Sequence, residues 1–202
     1  MVLVPVEDAG QGGIVGQLFH RDFHSQRTKA QILGCLADAE HRHTVAGDVA
    51  MIVEGKIQSL LQTERLMLNV MQRMSGIATM TRKYVKQLEG TKTRVLDTRK
   101  TTPGLRMLEK AAVKIGGGVN HRIGLFDMIL LKDNHVDFAG GITQAITRAQ
   151  DYLKAKGKDL KIEIEVRNFD ELEEAMRVGG IDRIMLDNFN IENTKEAVRR
   201  IA

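Results

Sequence analysis

Over the last half of the chain, short apolar runs alternate with longer segments of helical period. TRVLDT (93–98) reads as a strand. A turn at Pro103 and Gly104 follows, then a helix over 105–115. FDMILL (126–131) precedes a helical pattern over 142–156, LKIEIEVR (160–167) one over 170–178, and DRIML (182–186) one over 192–201. Strands that alternate with helices predict a parallel α/β arrangement. The units show no self-similarity, which argues against a solenoid.

Ahead of this region, GDVAMIVEGKI (47–57) reads as a glycine-bounded strand. Ser59 and Gln62 have capping-box spacing and predict a helix start. Leu60, Met67, Met71, Met74 and Ala78 recur at helical spacing, predicting a buried face. Arg65, Asn69 and Arg73, each four residues apart, form a polar stripe on another face. Residues 6–19 are glycine-rich and turn-like, and a helix is expected around Ala30 to Ala39. His20 and His24, and His41 and His43, have spacings that metal ligands use, but no third ligand is signalled and surface roles are expected.

The strands carry a second signal. In LKIEIEVR, Ile162, Ile164 and Val166 point one way and Glu163, Glu165 and Arg167 the other. A sheet covered by helices on both faces is normally apolar on both, so the charged face predicts the wet mouth of a barrel. Polar groups also collect at the carboxyl ends: Asp97, Arg99 and Lys100, then Lys132, then Glu165, then Asp187 and Asn188. Active sites of α/β barrels lie at that end.

Composition narrows the function. The 202 residues carry a net charge of +4, with Lys+Arg at 30 and Asp+Glu at 26. This mild excess suits anionic metabolites. Nucleic acid is not expected, because the cations sit in glycine turns and strand ends without an aromatic stacking platform, and aromatics make up only 4% of the chain. The single cysteine, Cys35, excludes an intrachain disulfide and points to a reducing, cytoplasmic setting. No stretch approaches the roughly 20 apolar residues of a membrane span, and the start lacks a signal-peptide pattern.

Two chemical sets emerge. Arg99, Lys100, His121, Arg122 and Lys132, with Arg65 and Arg106, form a cationic set suited to carboxylate or phosphate. Glu165 and Asp187 form an acidic set that can hold Mg²⁺ with a diphosphate, bind sugar hydroxyls or stabilise an oxocarbenium-like transition state. Together they point to a phosphorylated sugar reacting beside an acidic small molecule. GGG (116–118) does not match G-x-G-x-x-G, and a turn or helix cap is expected there rather than a phosphate cradle.

The segments ERLMLNVMQRMSGIAT (64–79), DTRKTTPGLR (97–106), GGGVNHRIGLFDMILLKDNH (116–135), EIEVRN (163–168) and MLDN (185–188) resemble the quinolinate phosphoribosyltransferases. The resemblance runs from Gly47 to Ala202. It implies phosphoribosyl transfer from phosphoribosyl pyrophosphate to quinolinate, with decarboxylation and with Mg²⁺, in NAD biosynthesis. It further implies that Arg99, His121, Arg122 and Lys132 hold the quinolinate carboxylates, that Thr98 is among the substrate-binding residues, and that Arg65 reaches in from the neighbouring subunit of a homodimer. Lys100 would approach the phosphoribosyl donor, and Glu165 and Asp187 would take its ribose and the metal. The implied fold has a partial N-terminal sandwich-like domain (1–58), connecting helices (59–92) and an incomplete parallel α/β barrel (93–202). Family members continue into further strands and two glycine-containing loops for the donor's 5′-phosphate. Nothing here matches those loops, so the chain reads as a fragment. The alternatives are a transferase for another pyridine carboxylate, or a non-catalytic anion-binding or assembly subunit.

Overall fold

The computed structural model describes residues 29–31 and 52–201. It divides into two compact units, one ending at His121 and the other beginning at Arg122.

In the first unit, β1 (Lys29–Gln31) pairs antiparallel with β2 (Ile52–Glu54). Ala30 and Gln31 are therefore strand, where a helix was expected. The remainder of that expected helix lies outside the described residues, as do His20, His24, Cys35, His41 and His43. Of the strand expected over 47–57, residues 47–51 lie outside the described residues, 52–54 are strand, and Ile57 already belongs to α1 (Ile57–Gln87). Lys56 is the N-cap and makes no side-chain cap. Ser59 is inside the first turn, and its carbonyl accepts a 2.7 Å hydrogen bond from the Thr63 hydroxyl. This end is exposed, so water satisfies the first-turn amides and no side-chain cap is required.

Of the apolar face expected on α1, Met74 is buried, while Leu60, Met67, Met71 and Ala78 are half-buried. Length explains the shortfall. The helix has 31 residues, and α2 (Arg106–Ile115), which packs on it, has 10. Where the two meet, Gly116 allows close approach. A Cβ there would lie 2.4 Å from the Ala78 carbonyl oxygen and 2.7 Å from Thr81 Cβ. Gly117, at φ 85°, turns the chain off α2, with its N–H bonded to the Lys114 carbonyl at 2.9 Å. The glycine run is thus a helix C-terminal turn, as expected.

The strand expected over 93–98 contracts to one parallel bridge, Leu96 to Val119. Val119 N–H donates to the Val95 carbonyl at 2.8 Å, and Asp97 N–H to the Val119 carbonyl at 3.2 Å. The next rung of a parallel ladder would join His121 N–H to the Asp97 carbonyl. The Asp97 side chain takes that N–H instead, at 2.8 Å, and the ladder stops.

The second unit holds a parallel sheet in the order β3 (Ile129–Leu131), β4 (Ile162–Val166), β5 (Arg183–Leu186). Its helices are α3 (Asp133–Ala139), α4 (Ile142–Lys156), α5 (Phe169–Val178) and α6 (Ile191–Ile201). The α/β class with a parallel sheet is as expected, and α4 has the expected bounds. Ile162, Ile164 and Val166 are buried, and Ile164 and Val166 pack with Ile146, Leu172 and Ala197 in the main core cluster. The opposite face is not uniformly wet. Glu163 is 4% exposed and lies 3.8 Å from Arg183, its register partner on β5. A buried carboxylate requires such a partner, so the charge of Glu163 belongs to the sheet and not to a solvated mouth. Helix α3 was not expected at all.

Candidate functional site

The first unit gathers its polar groups around the Leu96–Val119 bridge. Asp97 and Lys110 form an ion pair with side chains 7% and 4% exposed. Asp97 also accepts from Asn120 Nδ2 and from His121 N–H, and Lys110 Nζ donates to the His121 carbonyl at 3.1 Å. Thr98, Arg99 and Lys100 follow Asp97 directly. The Thr98 hydroxyl accepts from Lys100 N–H at 3.1 Å, and Arg106 Nε donates to the Thr101 hydroxyl at 3.2 Å. Arg99 Nε is buried and has no hydrogen-bond partner among the described residues. A buried N–H without an acceptor is uncommon and calls for an explanation. A bound anion would supply one.

A second polar group braces the far side of this loop. Glu109, 8% exposed, accepts from Arg73 Nε at 2.7 Å and from Thr102 N–H at 3.2 Å, and Arg73 also donates to the Thr102 hydroxyl at 2.5 Å. Burial pushes the Glu109 carboxyl up. The hydrogen bonds from Arg73 and Thr102 outweigh it, so the group sits below the usual carboxylate range. Arg65 stands apart, exposed on α1. It lies about 12 Å along the helix axis from Arg73, at 1.5 Å per residue.

The second unit places Lys132, Glu165 and Asp187 together. Leu131 pairs with Ile164, so Lys132 follows level with Glu165. Glu165 pairs with Met185, and Asp187 is two residues further on, its N–H still bonded to the Val166 carbonyl at 2.9 Å. By strand alternation, all three share the face opposite the Ile164 core. They sit at the carboxyl ends of adjacent parallel strands, where open α/β sheets bind ligands. Lys132 is exposed, Glu165 and Asp187 half-buried. Asn188, at φ 55°, donates to Asp187 at 3.0 Å. Lys132 N–H donates to His135 Nδ1 at 3.0 Å across the first turn of α3. Before β3, Arg122 Nη1 donates to the Met128 carbonyl at 3.3 Å, and Asp127 accepts from the amides of Ile123 and Gly124.

Among the described residues, no group of three or more His, Cys, Asp or Glu is placed to hold a metal. Mg²⁺ asks for less: one or two carboxylates, completed by substrate phosphate and water. Glu165 and Asp187, on one face at the ends of adjacent strands, are the two carboxylates that would be available to it.

Reading the sequence missed Lys110, Asn120 and Glu109. A signal was present for two of them. Positions 106, 109, 110 and 113 share one face of α2, and a face with that spacing is the one a helix buries. Charges there mark buried partners rather than solvated ones.

The fold and these groups define an α/β protein whose polar side chains collect where parallel strands end, a class suited to small anionic ligands. Residues 77–202 match the family described as quinolinate phosphoribosyl transferase, C-terminal domain, and the chain belongs to that family. It is 49% identical over 142 residues to a probable nicotinate-nucleotide pyrophosphorylase (carboxylating) of Bacillus subtilis, a match covering 70% of this chain and 48% of that protein. It is 45% identical over 155 residues to the nicotinate-nucleotide pyrophosphorylase (carboxylating) of Mycobacterium leprae, covering 77% of this chain and 53% of that protein. The crystal structure of NadC from Streptococcus pyogenes superposes with a TM-score of 0.75 at 39% identity, over 92% of this chain and 61% of that one. The chain thus spans about half the length of the curated relatives it matches.

Proposed function

We propose that this chain serves phosphoribosyl transfer from phosphoribosyl pyrophosphate to quinolinate, with decarboxylation, in NAD biosynthesis. The observation that carries the proposal is the buried, unpartnered Nε of Arg99, beside Lys100 in a loop otherwise fixed by hydrogen bonds. It is a donor in need of an acid. Thr98, Arg99, His121, Arg122 and Lys132 hold the quinolinate carboxylates, and Lys100 meets the donor. Glu165 and Asp187 face the ribose and would hold Mg²⁺, which when bound would offset the charge of the departing diphosphate. The pyridine nitrogen forms its bond to the anomeric carbon as the bond to pyrophosphate breaks. The C2 carboxylate then leaves as carbon dioxide, and a proton takes its place on the ring. Fixed cations and ordered loops accelerate such a reaction through positioning and electrostatics.

The rest of the reading follows the same likeness. Residues 59–92 serve as the connecting segment and 93–202 as part of an α/β barrel, while most of the sandwich-like domain expected over 1–58 lies outside the described residues. The protein is a cytoplasmic homodimer in which Arg65 serves the neighbouring subunit. Ile57 and Leu61, four residues apart on one face of the helix that carries Arg65, are 73% and 69% exposed. Apolar side chains left open in this way favour a protein partner. Among the described residues, no helix is long and apolar enough to cross a membrane.

Titration calorimetry with quinolinate, with nicotinate as control, tests the assignment. Donor and Mg²⁺ are then added and nicotinate mononucleotide is assayed. Quinolinate binds and nicotinate binds far more weakly, because a monocarboxylate leaves cations unpaired. Arg122→Ala abolishes detectable quinolinate binding. A folded chain that does not bind quinolinate would sink the proposal.

A further inference from the structure

His121 is held on both sides of its backbone by one ion pair. Its N–H donates to Asp97 Oδ1 at 2.8 Å, and its carbonyl accepts from Lys110 Nζ at 3.1 Å. Asp97 and Lys110 pair with each other, and their side chains are 7% and 4% exposed. Asn120 closes the group. Its Nδ2 donates to Asp97 Oδ2 and to the Lys110 carbonyl, the latter at 2.8 Å. Lys110 and Asp97 are thus almost wholly enclosed and already bonded, so neither is free to meet a ligand.

A buried ion pair is a poor way to gain stability, since an apolar pair of similar volume often does as well or better. Its distinctive property is direction. The backbone alone ties the Thr98–Lys100 loop to His121 through the single Leu96–Val119 bridge. One bridge leaves the chain beyond it free to swing. The Asp97 carboxylate replaces the missing rung, and the Lys110 ammonium fixes the peptide that follows.

We propose that Asp97, Lys110 and Asn120 are positioning residues: they set His121 against Arg99 so that both reach the same carboxylated pyridine. This rests on the quinolinate reading and deepens it. Glu165 and Asp187, which face the donor's ribose in that reading, lie outside this network, and only Lys100 among the donor's partners is in the loop it ties, so affinity for the phosphoribosyl donor falls less than affinity for quinolinate.

The test is calorimetry of the unaltered chain, Lys110→Met, Lys110→Arg and Asn120→Ala, titrated separately with quinolinate and with phosphoribosyl pyrophosphate plus Mg²⁺. Circular dichroism melts confirm folding. Lys110→Met weakens quinolinate binding by roughly tenfold or more, the scale on which small misplacements act, while donor affinity falls by a clearly smaller factor. Lys110→Arg restores most of the loss, since it returns the charge and the donors. If Lys110→Met does not fold, Asn120→Ala decides: it keeps the ion pair and gives a smaller but selective loss. Folded variants that bind quinolinate as the unaltered chain does overturn the positioning role alone. Equal losses for both ligands also overturn it, because a general loosening has no preference. An unaltered chain that binds no quinolinate overturns the functional reading, and this inference with it.

Discussion

The two units hold loops at strand ends by opposite means. In the unit ending at His121, the side chains beneath the loop are charged. Asp97 meets Lys110, and Glu109 meets Arg73 and Thr102. In the unit from Arg122 onward, the strands rest on Ile164, Val166, Leu172 and Ala197, all fully buried, and most ion pairs lie outside, as in Arg167 with Asp137 and Glu171. Apolar burial contributes about 1.5–3 kcal/mol for each large side chain but has no direction. A bond to a charged group is oriented. The difference teaches where each is needed. β3, β4 and β5 already share a ladder that fixes the backbone, so an apolar floor suffices. The Leu96–Val119 contact is one bridge long, and charged side chains complete it.

The largest expected effect separates these two devices. Asp97→Ala leaves Lys110 buried without its partner, a change that typically costs about 3–5 kcal/mol. Ile164→Val removes one methylene from the apolar floor and costs about 0.5–1.5 kcal/mol. Urea denaturation of both variants measures the contrast. Equal destabilisation would mean that the bridge does not depend on its side-chain clamp.

A smaller effect sharpens the role of Glu109. Its carboxyl lies below its ordinary value of 4.5 in the folded chain. A depressed carboxyl contributes stability that is complete above the unfolded value and is lost as pH falls through the folded one. Glu109→Gln removes that contribution and costs about 1–1.5 kcal/mol near neutral pH, as for a hydrogen bond of ordinary strength. Melting temperatures of parent and variant should converge as pH drops below about 4.5. Curves that stay parallel down to acid pH would mean that Glu109 is not braced by Arg73 and Thr102.

Period alone made much of the second unit legible. Ile162, Ile164 and Val166 alternate with charges, and α4, α5 and α6 end where glycines or changes of period placed them, within a residue. The strand-end positions of Lys132 and Asp187 were legible because they close apolar runs, and the face of Glu165 because it alternates with Ile164 and Val166. What failed depended on partners distant in sequence. The strand expected over 93–98 is apolar enough, but Asp97 spends its side chain on His121 and ends the pairing. Glu163 looked solvated until Arg183 came alongside it. Helix α3 is short, and its start is marked by a contact from Lys132 N–H to His135 that no ordinary cap motif announces. Lys110 and Glu109 were readable as charges on an inward face, but which residues they meet is set by the Leu96–Val119 bridge and by α1.

The smallest effect tests whether a surface charge network in the second unit plays the part that Asp97 plays in the first. Arg167 donates to Asp137 at 2.9 Å and to Glu171 at 2.6 Å, and its side chain is 39% exposed. Water competes for every bond in that network, and salt screens it. Arg167→Ala also leaves the start of α5 intact: Glu171 still accepts from the residue 167 amide, at 2.7 Å in the parent, while Asn168 accepts from Glu171 N–H at 2.9 Å. The cap therefore survives the loss of the guanidinium. The expected melting-temperature change is small beside that of Asp97→Ala and shrinks further when sodium chloride is raised. A loss comparable to Asp97→Ala that persisted at high salt would break the comparison, since it would mean that charge, and not the Ile164 core, holds the end of β4.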